Sequence, residues 1–383
     1  MVVELFNVNW KVAWGMLIAN YFFLTGLSAG SFLLGALSEV FGQEKYRSVS
    51  KMAIILATIL LIIAPLNLIA ELGQTGRFWT LLTGFHPTSP MAWGSFLLIA
   101  YPLLCVAEGY FLFRRDNAKR AVSGSMAFLY RALVLWRTDL TEATIAFDKK
   151  MVKTLAIIGI PLAFAVHGYT GYILGVVVAR NLWSTPQMPV LFLLSAMVSG
   201  TALMILIVYI MQKFFSSKKY ADSTLIVNLG TLLMVFLLVD MLYIFFELTM
   251  RWYSYELSKD SVRELLFGKV SFYFVWIEMI LGAIIPFLLV TIPKIRKNVG
   301  AVLLASALSL MGVFAMRMDF VVGGQFYSRN GVIDNLYTSF PLYLPPLTEV
   351  MPFAAIWALG FFMFALAVWT LPWEYKEGAA GGD

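Results

Sequence analysis

Nine apolar stretches, at about 13–41, 51–71, 91–113, 151–179, 188–212, 224–249, 269–292, 299–316 and 349–371, constrain this chain more than any other feature. A hydrocarbon core of roughly 30 Å takes about 20 apolar residues to cross as a helix. Helices suit that medium because they satisfy their own backbone hydrogen bonds. The 383 residues are 60% hydrophobic and 13% charged, far from the roughly half and quarter of soluble domains. The chain therefore reads as an all-α integral membrane protein with about nine transmembrane helices.

The same composition excludes several chemistries. One cysteine, Cys105, cannot hold an iron–sulfur cluster, which normally takes four thiolates. Two histidines, His86 and His167, leave little room for a b-type haem, and no metal site is expected. No G-x-x-x-x-G-K-[ST] loop occurs, so ATP hydrolysis is not expected of this chain. Met1 to Trp10 lacks a basic segment, so the first apolar stretch reads as an anchor that is retained.

The net charge of +6 belongs to orientation rather than to nucleic acid. The loops after stretches 1, 3, 5 and 7 carry 3, 9, 3 and 3 basic residues, and with Lys376 they hold 19 of the 28. The positive-inside rule then puts the N-terminus outside and the C-terminus in the cytoplasm. The longest of these loops, about 114–150, has enough apolar residues for an amphipathic surface helix and reads equally as a solvated loop. The closing EGAAGGD reads as a disordered tail.

Phe22 to Leu34 (FFLTGLSAGSFLL) and Phe192 to Met204 (FLLSAMVSGTALM) align at a constant offset of 170. Thr25/Ser195, Gly26/Ala196, Ala29/Ser199, Gly30/Gly200 and Ser31/Thr201 keep one small-residue face, the kind that lets membrane helices approach closely. The expected architecture is two parallel-repeated four-helix bundles. The first spans 12–180, the second spans 188–297 with 299–316, an added helix spans 349–371, and a cytoplasmic tail runs over 372–383.

Polar groups inside apolar stretches face a cavity or a partner. Topology gathers several near the outer face: Asn20 and Tyr21, Glu71 with Arg77, His86 and PTSPMAWGS, and His167, Tyr169 and Thr170. That depth suits an amphipathic ligand with a polar head. His167 reads two ways, as a hydrogen-bond partner and proton acceptor for a ligand oxygen or as a structural histidine bonded to a neighbouring helix. Glu71 with Arg77 reads also as an interfacial ion pair, and Asn20 as a helix–helix bond. Asp240 and Glu247, seven residues apart on one helix face, make with Glu278 a second set. It is either a proton relay or carboxyls bonded between helices. Arg317, Asp319 and Gln325 read as structural residues closing the eighth helix. Trp10, Trp14, Trp79, Trp93, Trp183 and Trp252 read first as an interfacial belt.

LTGLSAGSF, ELGQTGRF, PTSPMAWGSF, PLAFAVHGYTG and NLWSTPQMPVLFLLSAMVSG, in that order over about 12–295, resemble the NrfD/PsrC family of membrane subunits of respiratory enzymes. VVGGQ at Val321 to Gln325, Glu349 and a final helix resemble its longer DsrP/HybB-like branch. The resemblance implies a menaquinone or other quinone near the outer face, beside a ferredoxin-like iron–sulfur subunit, with further membrane and catalytic subunits. It implies no haem or cluster in this chain and no complete redox activity for the chain alone. Carried over by position, Glu71 and Arg77 match the family's acidic and basic pair, and His167, Tyr169 and Thr170 match its fourth-helix motif. Asn20 and Tyr21 follow by helix and depth. Asp240 and Glu278 enter as proton-transfer candidates.

The expectation is thus a quinone/quinol-binding subunit of an anaerobic respiratory electron-transfer complex in the cytoplasmic membrane. Its rival is a secondary transporter with a mid-membrane acidic site.

Overall fold

The computed structural model describes residues 12–43, 46–123, 126–215, 222–268, 270–326 and 343–373. The tail from 374 onward, Trp10 and most of the loop before Glu349 lie outside them. Nine helices among the described residues are long and apolar enough to cross a membrane. They are α1 (Met16–Glu39), α2 (Arg47–Glu71), α3 (Pro90–Ser123), α4 (Glu142–Gly175), α5 (Met188–Ile210), α6 (Ser223–Trp252), α7 (Phe272–Thr291), α8 (Val299–Met318) and α9 (Leu347–Thr370). The chain is an all-α multi-pass membrane protein.

Start signals in the sequence fix several helix ends. Thr141, Asp222 and Asn298 accept hydrogen bonds from backbone N–H groups of the first turns of α4, α6 and α8, satisfying donors that have no partner inside the helix. Helix α1 has no such residue of its own. Its start is closed from afar. Met16 N donates to Glu349 Oε2 at 2.7 Å and to the Tyr343 hydroxyl at 2.8 Å, and Ala13 and Trp14 N–H donate to Gln325 Oε1. The Tyr343 hydroxyl donates in turn to Glu349. Burial and that bond hold the Tyr343 phenol above its usual pKa, so it stays a donor. Glu71 accepts from the Gly15 backbone. Two carboxyl groups thus sit at the positive end of the α1 dipole, where negative charge is favoured.

Helices α3 and α4 are longer than their apolar stretches. Each has 34 residues, about 50 Å at 1.5 Å per residue. They run into the segment expected to be a 114–150 loop and leave only a short helix, Ala127–Leu133, and a turn between them.

Helix α1 is the hub. Of its 24 residues 19 are buried, and it touches α2, α4, α5, α8 and α9. Its small-residue face meets that of α5 at Gly30 and Gly200. A Cβ on Gly30 would land on the Ala196 carbonyl oxygen, and one on Gly200 would land on the Gly30 backbone. The two positions matched by the 170-residue offset are therefore the point of closest approach. Gly282 of α7 and Gly312 of α8 meet in the same manner. Helices α3 and α9 are the least buried, at 22% and 11%, and offer their outer sides to lipid or to other proteins.

Replacing Gly30 by Ala is expected to force α1 and α5 apart. Overpacking of this type costs about 1–3 kcal/mol. Thermal unfolding followed by tryptophan emission should show a lower transition than wild type. Gly76→Ala, where the added methyl meets nothing within 4 Å, should leave the transition unchanged.

Candidate functional site

Close approach at Gly30 and Gly200 brings the N-terminal half of α5 against α1, α4 and α8, and a buried polar cluster fills the junction. His167 on α4 and Arg317 on α8 are both 0% exposed. His167 Nε2 lies 2.8 Å from the Phe192 carbonyl oxygen and 3.3 Å from Arg317 Nη2. One ring nitrogen cannot donate to the first and accept from the second. The shorter contact assigns Nε2–H as donor to Phe192 O, leaving Nδ1 as an acceptor beside the Thr170 hydroxyl at 3.5 Å. Thr170 donates its hydroxyl to the His167 carbonyl at 2.5 Å. Arg317 Nη2 donates to Ser195 Oγ at 2.6 Å and to Phe192 O at 3.3 Å. Its guanidinium lies over the Phe192 ring at 3.9 Å, a cation–π contact that compensates in part for lost hydration.

The rest of that charge is met on the α6–α7–α8 side. Asp240 and Glu278 are buried electrostatic neighbours of Arg317, and Asp319 faces Glu278. Among the described residues Arg317 Nε and Nη1 and one oxygen each of Asp240, Glu278 and Asp319 have no hydrogen-bond partner. Two donors and three acceptors are thus left inside one cluster, well above the usual scarcity of unpaired buried groups. Glu278 and Asp319 both lie in π-helical stretches, Phe272–Ile284 and Asp319–Gly323; such widened turns recur at functional sites. A small, mostly apolar cleft is lined by Glu278 together with the Glu247–Arg251 ion pair, whose contact is 2.7 Å.

A second polar locus lies at the junction of α1, α3 and α4. The Tyr21 hydroxyl is buried without a hydrogen-bond partner, and the half-buried Tyr169 is its electrostatic neighbour. Gly94 at the start of α3 makes room for the Tyr169 ring, since a Cβ there would fall on the phenol.

The residues singled out from sequence therefore divide. Tyr21 and Tyr169 come together. His167 and Thr170 lie behind them, turned toward Arg317. Asn20 turns away: its Nδ2 donates to Asn67 Oδ1 at 2.8 Å, and its Oδ1 accepts from Trp357 Nε1 at 3.1 Å. Glu71 lies at the α1 start. Arg77 is exposed and donates to Gln74 Oε1, and no Glu71–Arg77 ion pair occurs among the described residues. His86 is exposed and bonded to the Thr88 hydroxyl. Asp240 and Glu278 share one cluster, while Glu247 is occupied by Arg251, which also donates to the Asn181 and Leu182 carbonyls. Among the described residues no group of three or more His, Cys, Asp or Glu side chains could hold a metal ion.

Gln325 closes the C-terminal end of α8, as read from sequence, through bonds to Trp14 O and Val321 O. Arg317 and Asp319 do not. Both point inward, and a cation immediately after a long apolar stretch, followed by the apolar Phe320, Val321 and Val322, is the signal that marks the first. Glu108 on α3 escapes the sequence reading; it is 4% exposed with Oε2 unpartnered.

The NrfD family model, described as polysulphide reductase, NrfD, matches residues 4–328. The chain is 33% identical to a selenate reductase subunit of Mesobacillus selenatarsenatis, over 95% of this chain and 87% of that one. It is 25% identical to an Hdr-like menaquinol oxidoreductase integral membrane subunit of Archaeoglobus fulgidus, over 94% and 84%. It is 26% identical to one of the polysulfide reductase chains of Wolinella succinogenes, over 85% and 97%.

Removing the Arg317 charge alone strands its buried acidic neighbours. Breaking such a cluster from one side costs about 3–5 kcal/mol. Arg317→Leu should unfold at clearly lower temperature than wild type in detergent, and adding Asp240→Asn should restore part of the loss. A double variant no more stable than Arg317→Leu would show that the two groups do not interact.

Proposed function

The chain belongs to the NrfD family, whose members here are membrane subunits of reductase complexes, and from that footing we propose that it is the quinone-reactive subunit of such a complex. It would exchange electrons between the membrane quinone pool, menaquinone in the first instance, and an iron–sulfur partner. The observation that carries the reading is the Tyr21 hydroxyl, buried and unpartnered beside Tyr169, whose ring packs on Gly94. A polar head with oxygen atoms would supply what is missing, because an unmet phenol is a donor that lacks an acceptor. The apolar remainder would run out along α3, the weakly buried helix.

A bound quinone supplies two-electron, two-proton chemistry. Tyr21 and Tyr169 would hold and orient the head by hydrogen bonds. Thr170 and His167, one layer deeper, would keep the pocket floor polar, with the neutral imidazole offering Nδ1 as a hydrogen-bond acceptor. Beyond them Arg317, Asp240, Glu278 and Asp319 form a chain of ionisable groups toward the cleft at Glu247 and Arg251. We read this chain as the path by which protons enter or leave the membrane interior. Family membership supports this electron-transfer reading over the transporter.

The remaining parts of the proposal follow from the family and from charge. A ferredoxin-like subunit would dock at the outer face, where Phe78, Trp79, Leu81, Leu82, Met91 and Trp93 are exposed. Catalytic and further membrane subunits would complete the assembly. The N-terminus would lie outside and the C-terminus in the cytoplasm, with the bundles 12–180 and 188–316 as two repeats joined at Gly30 and Gly200.

Fluorescence-quench titration with a hydroxyquinoline quinol analogue, on the purified assembly, tests the site. Tyr169→Ala should weaken saturable binding by about tenfold, roughly 1.4 kcal/mol, and Gly94→Ala should weaken it by displacing the phenol. Unchanged binding in both variants would remove the assignment to this crevice. For the deeper chain, Asp240→Asn should slow quinol oxidation while leaving analogue binding within about twofold of wild type, a loss in turnover rather than in binding.

A further inference from the structure

The loop between α3 and α4 is held in an unusual posture. From Met126 the chain runs back along α3. Tyr130 donates to the Thr370 carbonyl at 3.0 Å and accepts from Arg120 at 3.0 Å, and Arg131 Nε donates to the Ala121 carbonyl at 3.4 Å. Tyr110 donates its hydroxyl to the Val134 carbonyl at 3.4 Å. Arg114 pairs with Asp148 at 2.8 Å and with Asp139 at 3.0 Å. Val134 is thus returned to the level of Tyr110, one helical turn inside Arg114, where α3 is still apolar.

At that depth Leu135 and Trp136 have φ of 51° and 59°. Left-handed backbone is unfavourable at non-glycine residues and persists only where the surroundings hold it. It is fixed here by Trp136 N–H to Arg131 O at 2.7 Å and Leu135 N–H to Ala132 O at 3.0 Å. The strain turns both side chains outward, 66% and 64% exposed, and Phe128, 77% exposed, meets the Trp136 ring edge-on at 6.3 Å. Around them Lys119, Arg120, Arg131, Arg137, Lys149 and Lys150 are exposed. The exposed acids nearby are Asp139, already paired with Arg114, and Glu142. The Thr144 hydroxyl beside Asp139, together with Arg114, holds its carboxyl below the usual range, so the tether persists at an acidic surface.

Large apolar side chains at the edge of a membrane span, ringed by cations, match a lipid surface with anionic headgroups better than water or an acidic protein. Tryptophan favours that boundary, and each Lys or Arg near an anionic surface adds electrostatic attraction. We propose that residues 126–137 are a membrane-surface anchor. Leu135, Trp136 and Phe128 insert at the headgroup–acyl boundary, and Arg131 and Arg137 gather anionic phospholipid phosphates. The proposal rests on multi-pass insertion and not on the quinone reading.

The test places the full chain in nanodiscs of phosphatidylcholine with one quarter phosphatidylglycerol. A spin label is attached at Leu135→Cys, or at Trp136→Cys where the first variant folds poorly; native Cys105 is buried. Collision rates with oxygen, which partitions into lipid, and with a water-soluble nickel chelate report depth. The oxygen-to-nickel ratio should exceed that of a label at the exposed Lys294→Cys by about threefold or more. A ratio equal to that control overturns the proposal. So does a label that is water-exposed in the nanodisc and shielded from both reagents only in the assembled complex, which would assign the surface to a protein. Arg131→Ala with Arg137→Ala should lower the phosphatidylglycerol retained through purification, read by native mass spectrometry, by about threefold. Unchanged retention overturns the headgroup assignment.

Discussion

Backbone contact between Gly30 and Gly200 sets the rest of the structure. In lipid there is no hydrophobic drive between helices, so association depends on close packing and on polar contacts. The two glycines allow α1 and α5 to touch at main-chain distance. That contact decides where the Phe192 carbonyl and the Ser195 hydroxyl lie, and so what His167 and Arg317 can reach. Gly26 continues the same face, since a Cβ there would come within 2.9 Å of the His167 ring. A small-residue stripe is thus the condition for placing a histidine and an arginine side by side in a membrane interior.

The cost of that placement shapes the second half of the fold. A guanidinium cut off from water needs several compensating partners. Arg317 has them in three kinds: the Ser195 and Phe192 oxygens, the Phe192 ring, and the carboxyl groups of α6 and α7. Its unmatched N–H groups and the unmatched carboxyl oxygens leave the cluster able to exchange partners rather than locked in one pattern. In the proposed function that freedom is what a proton path requires, while Tyr21 and Tyr169 hold the ligand at the outer crevice. The two loci meet at His167 and Thr170.

The membrane class and nearly every span were legible in the sequence, because a run of about 20 apolar residues has few alternatives. A close-packing face on α1 and on α5 was legible too, since Gly, Ala and Ser at matched spacing have one main use in a bilayer, but not that the two faces meet each other. The site was legible in composition but not in direction. Asn20, His167 and Tyr169 share a depth, yet they face three different junctions, and rotation about a helix axis cannot be read from hydropathy when the whole surface is apolar. Arg317 reads as a helix-end residue because its apolar stretch stops at 316. The structure carries α8 on through the π-helical turn at Asp319–Gly323, and the partners that explain Arg317 lie 122 and 125 residues away in Ser195 and Phe192. Glu71 and Arg77 look like a pair in sequence, but the fold uses Glu71 at the start of α1 instead.

The central claim is that an amphipathic quinone head lies in the crevice of α1, α3 and α4. Photo-crosslinking the intact assembly with an azido-quinone and mapping the labelled peptides tests it most directly. The account predicts labelling concentrated around Tyr21, Gly94 and Tyr169 and suppressed by excess unlabelled quinone. Label spread evenly over lipid-facing helices, or concentrated on α6 and α7 at the Glu278 cleft, would contradict it.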